Sequence, residues 1–389
     1  MKVIELGQLI AGPFCTRVMA EFGAQVIKIE SPNGGDPLRQ WRKLYEGNSL
    51  WWLLQARNKQ SVTVNLKAAE GQEIVRRLAK DADIVVENFR PGAMEKWGLG
   101  YEELSRENPG LVMVRLSGYG QTGPYRDKPG FGAIGEAMGG LRHVTGYPDR
   151  PPVRVGISLG DAVASLYGVI GALMALRQRE VNGGHGQVID VALYEAVFSL
   201  MESLLPEYDV YDFIRERTGS SLPGIAPSNT YTTRDGKYVV IGANGDSIFK
   251  RMMTAIGRED LANDPDLAKN DGRAARSEEL DEAIGTWCGA HDLEEVLSTL
   301  DRAEVPSGKI YDIEDIVNDV HFHARGMIEE ARLRGGKSVK MPAVVPKLTG
   351  TPGGTRWLGP ELGEHTSAVL DTIGYSAEQI AKLKDRGVV

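Results

Sequence analysis

Apolar residues in the first third of the chain form short runs, and a segment with helical periodicity lies between two of them. The runs are KVIELG (2–7), QVIKIE (25–30), SVTVNL (61–66), ADIVVEN (82–88) and LVMVRLS (111–117). Residues 68–80 place Ile74, Val75, Leu78 and Ala79 on one helical face. Strands that alternate with helices at this spacing predict βαβ units and a parallel sheet. Near-continuous apolar strands indicate a sheet that is covered on both faces.

The pattern changes after about residue 205. The strand-like segment YTTRDGKYVVIG (231–242) has Asp235-Gly236 at its centre, which is a strong hairpin signal. Helical stretches follow at about 246–256, 276–289 and 292–302. The sequence therefore predicts an α/β protein in which a large domain with a parallel sheet is joined to a smaller α+β domain.

Composition and charge limit the cellular compartment and the kinds of binding partner that we expect for this protein. The 389 residues carry a formal charge of −8 without a basic stripe, which argues against a nucleic-acid partner. The uncharged stretch 162–176 is shorter than the roughly 20 residues of a membrane helix, so we interpret it as a buried core helix and expect no membrane partner. The start lacks a signal-peptide pattern, and Cys15 and Cys288 are too few for a disulfide framework. We expect a cytoplasmic protein.

A Gly-x-Gly-x-x-Gly spacing, typical of dinucleotide sites, follows the strand 111–117. Its glycines are Gly118, Gly120 and Gly123. Pro124 and Pro129 follow directly, so no helix can open at the third glycine to hold a pyrophosphate. We predict a tight structural turn here.

Asp161 stands where a glycine, Gly160, precedes a helix of small and apolar residues. One interpretation is an N-cap aspartate whose side chain accepts a backbone N–H. The other is a functional carboxylate that the neighbouring N–H groups keep ionised and beside which an oxyanion can be stabilised. The residues alone leave both open.

Other polar residues follow strand ends. The run ENFRPG (87–92) is either an ordinary βα turn or a ligand loop at the carboxyl end of a parallel strand. Lys67 and Lys96 are either solvated or within reach of phosphates.

His321 and His323 are a weak metal signal, because no Cys accompanies them and the spacing is not that of one helical face. We predict no metal site.

Several long motifs, in the same order along nearly the whole chain, resemble the class III coenzyme A transferases, which include formyl-CoA:oxalate and carnitine transferases. The motifs are IAGPFCTRVMAEFGAQVIKIE (10–30), Gly35-Asp36, NKQSVTVNLK (58–67), DIVVENFRPGAMEKWGLGYE (83–102), LSGYGQTGPY (116–125), GDAVASLYG (160–168), GHGQVIDVALYEAV (184–197) and LGEHT (362–366).

The resemblance implies an architecture beyond the patterns. A Rossmann-like large domain would comprise residues 1–205 and return with residues 325–389. A small α+β domain, residues 222–320, would be inserted between them. Two such chains would interlock as a homodimer.

The resemblance also implies the site residues. Asp161 matches the catalytic aspartate. The positions that match coenzyme A contacts are Asn88, Phe89, Arg90, Lys67, Lys96, Val64, Ile10 and Ala11. Lys96 stands where some members carry an arginine, and Ile10 and Ser31 stand where the formyl-CoA enzyme has Gln and Arg. The stretch 221–229 has only Gly224 where that enzyme has a run of glycines over its active site.

The reaction that the resemblance implies moves coenzyme A from an acyl-CoA to a carboxylic acid through an aspartyl anhydride and an aspartyl-CoA thioester. The CoA thioester is a substrate, and no permanently bound cofactor is expected. The stretches 129–146 and 153–161 look most like members that use succinyl-CoA and a dicarboxylic acid such as malate, citramalate, itaconate, mesaconate, hydroxymethylglutarate or benzylsuccinate. The candidates for binding a second carboxylate are Arg39, Arg42, Arg142 and Arg154, although a surface salt bridge is the preferred interpretation for each.

Two alternatives stay open. The 2-methylacyl-CoA racemases of the same superfamily use a histidine just before an aspartate where this chain has Phe131-Gly132, so such a racemase would lack its base here. A non-catalytic acyl-CoA-binding protein of the same fold would have no reason to keep a carboxylate at Asp161.

Overall fold

The structure is a computed structural model that describes residues 1–389, and its contacts divide the chain into two units. The first unit comprises Met1–Leu141, Val155–Glu202 and Phe322–Val389, and the second comprises Arg142–Arg154 and Ser203–His321. The segment Arg142–Arg154 therefore lies outside the first unit, whereas the sequence placed it within 1–205. It packs in the second unit because the Arg217 guanidinium donates to the His143 carbonyl oxygen (2.9 Å).

Thirteen strands are present. They are β1 (Lys2–Glu5), β2 (Gln25–Glu30), β3 (Leu44–Tyr45), β4 (Asn48–Ser49), β5 (Lys59–Thr63), β6 (Ile84–Glu87), β7 (Val112–Ser117), β8 (Val188–Ala192), β9 (Ser228–Thr232), β10 (Tyr238–Gly242), β11 (Ser307–Lys309), β12 (Ile328–Arg332) and β13 (Ser338–Pro342).

Eighteen α-helices and two short 3-10 helices, Pro37–Gln40 and Pro265–Leu267, connect the strands. The α-helices are α1 (Ala11–Glu21), α2 (Leu50–Gln55), α3 (Ala69–Ala79), α4 (Ala93–Lys96), α5 (Tyr101–Glu107), α6 (Gly132–Met138), α7 (Leu159–Val181), α8 (Leu193–Phe198), α9 (Leu204–Tyr211), α10 (Asp246–Ala255), α11 (Glu259–Ala262), α12 (Asn270–Ala275), α13 (Ser277–Ala290), α14 (Leu293–Arg302), α15 (Ile313–Asn318), α16 (Val320–Ala324), α17 (Thr366–Thr372) and α18 (Ala377–Asp385).

Six parallel strands form the main sheet of the first unit, in the order β5-β2-β1-β6-β7-β8. This is the doubly wound order, in which the winding direction reverses between β1 and β6. The predicted α/β fold with a parallel sheet is confirmed. In open sheets of this kind, ligands bind at the carboxyl ends of the strands where the order reverses.

Both faces of the main sheet are buried, as the apolar runs predicted. Ile4 and Val85 enter one core cluster, while their strand neighbours Val3 and Val86 enter the cluster on the opposite face. Ile74 and Leu78 of α3 cover the first of these faces and are fully buried. The alternation follows from the two-residue period of a strand.

The second unit has an antiparallel sheet in the order β11-β10-β9. The predicted hairpin joins β9 and β10 through Gly236, whose φ of +72° suits a glycine. The core between this sheet and the surrounding helices includes Val239, Ile241 and Phe249.

Helix α7 differs from its prediction on one side. Its small residues are buried against α1 and β7, among them Ala164, Gly168 and Ala172. The opposite side exposes Leu166, Ile170, Leu173 and Met174 by 46, 46, 54 and 67%. The interpretation of 162–176 as a buried core helix is therefore wrong for this side. By length and composition alone α7 could also cross a membrane, a test that core helices pass as well.

Candidate active site

A cavity of about 270 Å³ lies at the carboxyl ends of β1, β6 and β7, where the winding direction of the sheet reverses. Its wall includes Gln8–Ala11 from the loop after β1, Asn88–Pro91 from the loop after β6, and Leu116–Gly118 at the end of β7. Asp161 of α7 lines the same cavity. The doubly wound fold places a ligand crevice at this point.

The loop between β1 and α1 is held by a very close backbone approach. A Cβ atom added to Gly7 would lie 3.0 Å from the Cα of Gly12, so neither residue can carry a side chain without displacing the other. Leu9 between them has a φ of +62°, which is uncommon for a residue with a side chain. The surrounding groups must therefore hold this conformation.

Asn88 provides one of these groups. The Gln8 backbone N–H donates to Asn88 Oδ1 (2.7 Å), and Asn88 Nδ2 donates to the Gln8 carbonyl oxygen (2.8 Å). The amide thus continues the pairing of β1 with β6 past the strand ends. The sequence proposed Asn88 as a coenzyme A contact, whereas here both ends of its amide are engaged with the neighbouring loop.

A buried ionic network holds the loop from the other side. The Leu9 N–H donates to both carboxylate oxygens of Asp36, at 3.1 and 3.2 Å. Lys28 Nζ lies 2.9 Å from Asp36 Oδ2 and 2.7 Å from Glu5 Oε1, and Lys59 Nζ lies 2.8 Å from Glu5 Oε2. All four charged side chains are buried.

Pairing opposes the effect of burial on Glu5 and Lys28, whereas for Lys59 burial prevails and lowers the pKa to about 8. Burial alone would raise the pKa of Glu5, but Lys28 and Lys59 outweigh this effect and lower it to about 2. Burial likewise acts to lower the pKa of Lys28, and Asp36 and Glu5 reverse this and raise it. Sequence reasoning missed this network, since a lysine within an apolar strand gives no local sign of its partner.

Asp161 is the third residue of α7 and lies in its first turn. Ser158 holds the N-cap position, so the interpretation of Asp161 as the N-cap is wrong, whereas its prediction at a helix start is confirmed. The carboxylate lies against Gly132, the first residue of α6: a Cβ there would be 2.1 Å from Asp161 Oδ2. Only a glycine leaves room for this carboxylate.

Glycines and one serine fix α6 and α7 around the carboxylate. A Cβ on Gly135 would lie 2.8 Å from the Cβ of Leu193, and a Cβ on Gly139 would lie 2.7 Å from that of Val197, so α6 packs closely on α8. Ser165 Oγ lies 2.7 Å from the Ala11 carbonyl oxygen, which ties α7 to the start of α1.

The structure brings together six of the nine proposed site residues. The residues that line the cavity are Asp161, Ile10, Ala11, Asn88, Phe89 and Arg90. Phe89 packs edge-to-face on Trp97, with ring centroids 5.1 Å apart. The three that lie outside the cavity are Lys67, Lys96 and Val64.

Those three residues have two different settings. Lys67 and Lys96 are exposed on the surface. Val64 is 1% exposed and packs in the core beneath the sheet, so in this conformation its side chain cannot contact a ligand. An apolar residue just past β5 is drawn into the core, which explains the difference from the sequence proposal.

The arginines considered for a second carboxylate lie outside the cavity. Arg39 is buried rather than on the surface, and its Nε and Nη2 atoms contact the two Glu30 carboxylate oxygens at 2.8 and 2.7 Å. Arg42 lies over the Trp51 ring, 4.4 Å from its centroid. Arg142 and Arg154 belong to the second unit.

Two other cations line the cavity and were missed. Arg126 and Lys128 belong to residues 118–131, which follow β7 and contain no helix or strand. The predicted turn at Gly118, Gly120 and Gly123 is confirmed, since the next helix begins only at Gly132. The sequence YRDKPG after a strand end would have been a usable signal for these cations.

The chain is thus a doubly wound α/β protein with a crevice where the winding direction of the sheet reverses. A carboxylate at the start of a helix lines this crevice, an arrangement that suits the binding of a ligand and its reaction. The sequence model of CoA-transferase family III matches residues 1–366, and the chain belongs to this family.

Individual relatives are similar to this chain over nearly its full length. The chain is 49% identical to the succinyl-CoA–D-citramalate CoA-transferase of Chloroflexus aurantiacus, over 100% of this chain and 97% of the relative. It is 43% identical to the beta subunit of the succinyl-CoA–L-malate CoA-transferase of the same organism, with the same coverage. A crystal structure of a CAIB/BAIF family protein from Brucella suis superimposes with a TM-score of 0.84 at 33% identity, covering 96% of this chain and 98% of that one.

Proposed function

We propose that this protein transfers coenzyme A from succinyl-CoA to a dicarboxylic acid. The observation that carries the proposal is the Asp161 carboxylate, which lines the crevice and lies against Gly132. The relatives support the substrate class, because they are named for succinyl-CoA as donor and citramalate or malate as acceptor. Mesaconate, itaconate, hydroxymethylglutarate and benzylsuccinate are further acceptors of the same chemical type.

The proposed mechanism uses Asp161 as a covalent nucleophile. Its carboxylate attacks the succinyl thioester carbonyl and expels the CoA thiolate, which leaves a mixed anhydride. The thiolate then attacks the aspartyl carbonyl and releases succinate, so that Asp161 carries coenzyme A as a thioester. The acceptor carboxylate attacks this thioester and forms a second anhydride. The thiolate finally attacks the acceptor acyl carbon, which yields the new acyl-CoA and restores Asp161.

The surroundings of Asp161 suit this role. The carboxylate lies in the first turn of the 23-residue helix α7, where the helix dipole attracts negative charge. The absence of a side chain at Gly132 gives the carboxylate a fixed place beside the α6 backbone. Fixed geometry of this kind lowers the entropic part of the barrier.

Coenzyme A is too large for the cavity alone. Sites for drug-sized ligands span about 300–1,000 Å³, and this cavity has about 270 Å³. We therefore assign the acyl and thiol end to the cavity, beside Ile10, Ala11 and Phe89, and the nucleotide end to the surface outside it. The exposed Lys67 and Lys96 are the proposed phosphate contacts there.

We also propose the interlocked homodimer. Support comes from the apolar side of α7, where Leu166, Ile170, Leu173 and Met174 are exposed in the single chain. Apolar patches of this kind commonly mark an interface. Light scattering of the purified protein tests the proposal, and a monomer at micromolar concentration would rule it out.

The alternatives fit the site less well. A racemase of the same superfamily needs a histidine followed by an aspartate at the position of Phe131-Gly132, and this chain has neither residue there. A protein that only binds acyl-CoA has no use for the Asp161 carboxylate in the crevice.

The test is to trap the covalent intermediate. The protein is incubated with succinyl-CoA, treated with hydroxylamine and digested for peptide mass analysis, and we expect a hydroxamate at Asp161. Asp161→Ala should lower kcat by a factor on the order of 10⁴ or more, as loss of a nucleophile does, whereas the exposed Asp385→Ala serves as the matched control. Full activity of Asp161→Ala, or no adduct in the wild type, would refute the mechanism.

A further inference from the structure

Residues 118–131, here called the cationic loop, form a closed loop at the edge of the cavity. Its ends touch: a Cβ on Gly118 would lie 2.9 Å from the Cα of Gly130. Compact loops whose ends meet are frequently functional. Residues 122–129 between these ends are exposed, and Arg126 and Lys128 among them line the cavity that contains Asp161.

The cationic loop is anchored at its base. The Gly120 N–H donates to Ser117 Oγ (2.9 Å), and the Gln121 N–H donates to Asp190 Oδ2 (2.9 Å). Tyr119 packs edge-to-face on Tyr125, with ring centroids 6.0 Å apart.

Lys128 continues this stack, because its Nζ lies 3.5 Å from the centroid of the Tyr125 ring. A cation over an aromatic face is held in place while its N–H groups stay free to contact a ligand. The position of Lys128 is therefore set by the loop.

The charges around the cavity favour an anion. Arg90, Arg126 and Lys128 line it, and Asp161 is its one acidic residue. The Nε atom of Arg126 lies 3.5 Å from Oδ1 of the neighbouring Asp127, and both side chains are more than half exposed. An exposed contact of this length is weak, so the guanidinium can exchange it for a ligand carboxylate.

The size of the cavity decides which anion fits. At about 270 Å³ it is smaller than most sites for whole drug-sized ligands, so we assign the small acyl group to it and the nucleotide of coenzyme A to the surface outside. An anion inside the cavity is then a carboxylate of the acyl group. Arginine matches a carboxylate through two parallel hydrogen bonds, and lysine adds a point charge.

We infer that Arg126, assisted by Lys128, binds the distal carboxylate of the dicarboxylic acid. This is the carboxylate at the opposite end from the reacting carbonyl group. This inference rests on the proposed CoA transfer. The succinyl group and the acceptor acid would use the subsite in turn, since each must place its reacting end at Asp161. The cationic loop would thereby select dicarboxylic over monocarboxylic acids.

The experiment compares succinyl-CoA with butyryl-CoA, which has the same chain length and a methyl group in place of the distal carboxylate. Steady-state transfer is measured for the wild type, Arg126→Ala, Arg126→Lys and Lys128→Ala. Arg106→Ala on α5 is the matched control, because Arg106 is exposed and lies outside the cavity. Inhibition by free succinate and by free CoA is measured in parallel.

We expect Arg126→Ala to lower kcat/KM for succinyl-CoA by about 10- to 100-fold, the range for a charged hydrogen bond, and to leave butyryl-CoA within twofold. The inhibition constant of succinate should rise, that of CoA should not, and Arg126→Lys should restore part of the loss. Equal losses with both donors, or weaker inhibition by CoA, would show that Arg126 contacts phosphates or supports the fold, and would overturn the inference. Absence of transfer in the wild type would refute the proposed function itself.

Discussion

The two walls of the crevice are built in opposite ways. On one side, the loop from Gly7 to Gly12 is fixed by Asn88 and by a fully buried network of paired charges. On the other side, the cationic loop is held at its base and leaves eight consecutive residues, 122–129, exposed. The first wall is closed by buried, paired charges, whereas the second presents exposed cations to the cavity. In the proposed function, the buried wall would keep the crevice in shape and the cationic loop would select the acid.

The largest effect should come from Gly132→Ala, which disturbs the place of the Asp161 carboxylate, the proposed nucleophile. The new Cβ would lie 2.1 Å from Asp161 Oδ2, so the carboxylate must move. Displacements of about 1 Å at a reacting group cost roughly 100-fold in rate, and we expect a loss of kcat of about that size or more. Gly156→Ala is the control, because a Cβ there meets nothing within 4 Å. Equal activity of the two variants would contradict the assigned position of the Asp161 carboxylate against Gly132.

The next effect compares the two walls through the free energy of unfolding of one variant from each. Asp36→Ala leaves Lys28 without one of its two buried carboxylate partners, and we expect the free energy of unfolding to fall by about 3–5 kcal/mol. Asp127→Ala likewise removes an aspartate side chain, but from the cationic loop, where this side chain is 78% exposed. We expect it to change the free energy of unfolding by less than about 0.5 kcal/mol. Urea unfolding measures both. Similar values would mean that the walls do not differ in rigidity.

The smallest effect concerns acid. Because the folded-state pKa of Glu5 is about 2, below its ordinary value of 4.5, its contribution to stability is complete above pH 4.5 and is lost as the pH falls toward 2. Between pH 6 and pH 3 the loss from this group should be about 2 kcal/mol. Unfolding of the wild type and of Glu5→Gln is followed over this range. The variant starts less stable, and its stability should decline less steeply with acid; parallel curves would disprove the role of Glu5.

The sequence predicted the sheet well and the cavity in part, for physical reasons. Apolar runs such as 82–88 and 111–117 form strands because burial on both faces leaves them few other options. Asp161 and the loop 87–92 could be placed at element ends, and ends of parallel strands converge. Gly132 could not be recognised, because its role depends on a carboxylate 29 positions later in the chain.

Partners in space explain the other errors. Arg39 was expected on the surface, but Glu30 and the Trp52 ring hold it inside. Arg126 and Lys128 were passed over because exposed cations in a turn usually contact only solvent. Their position on the cavity that Asp161 also lines depends on the closure of Gly118 on Gly130, which no local pattern specifies.

Two glycines of α6 and Gly139, which directly follows this helix, bear on how this enzyme could change over generations. Gly132, Gly135 and Gly139 each lie where even a methyl group would meet a neighbour closer than 3.0 Å, so no mutation to another residue is tolerated there without movement. A substitution at any of these positions therefore requires the neighbouring residue to move, and at Gly132 that neighbour is Asp161. Arg126 and Lys128 are exposed, so under the proposed role a mutation there would change the acid that is bound and leave the place of Asp161 as it is.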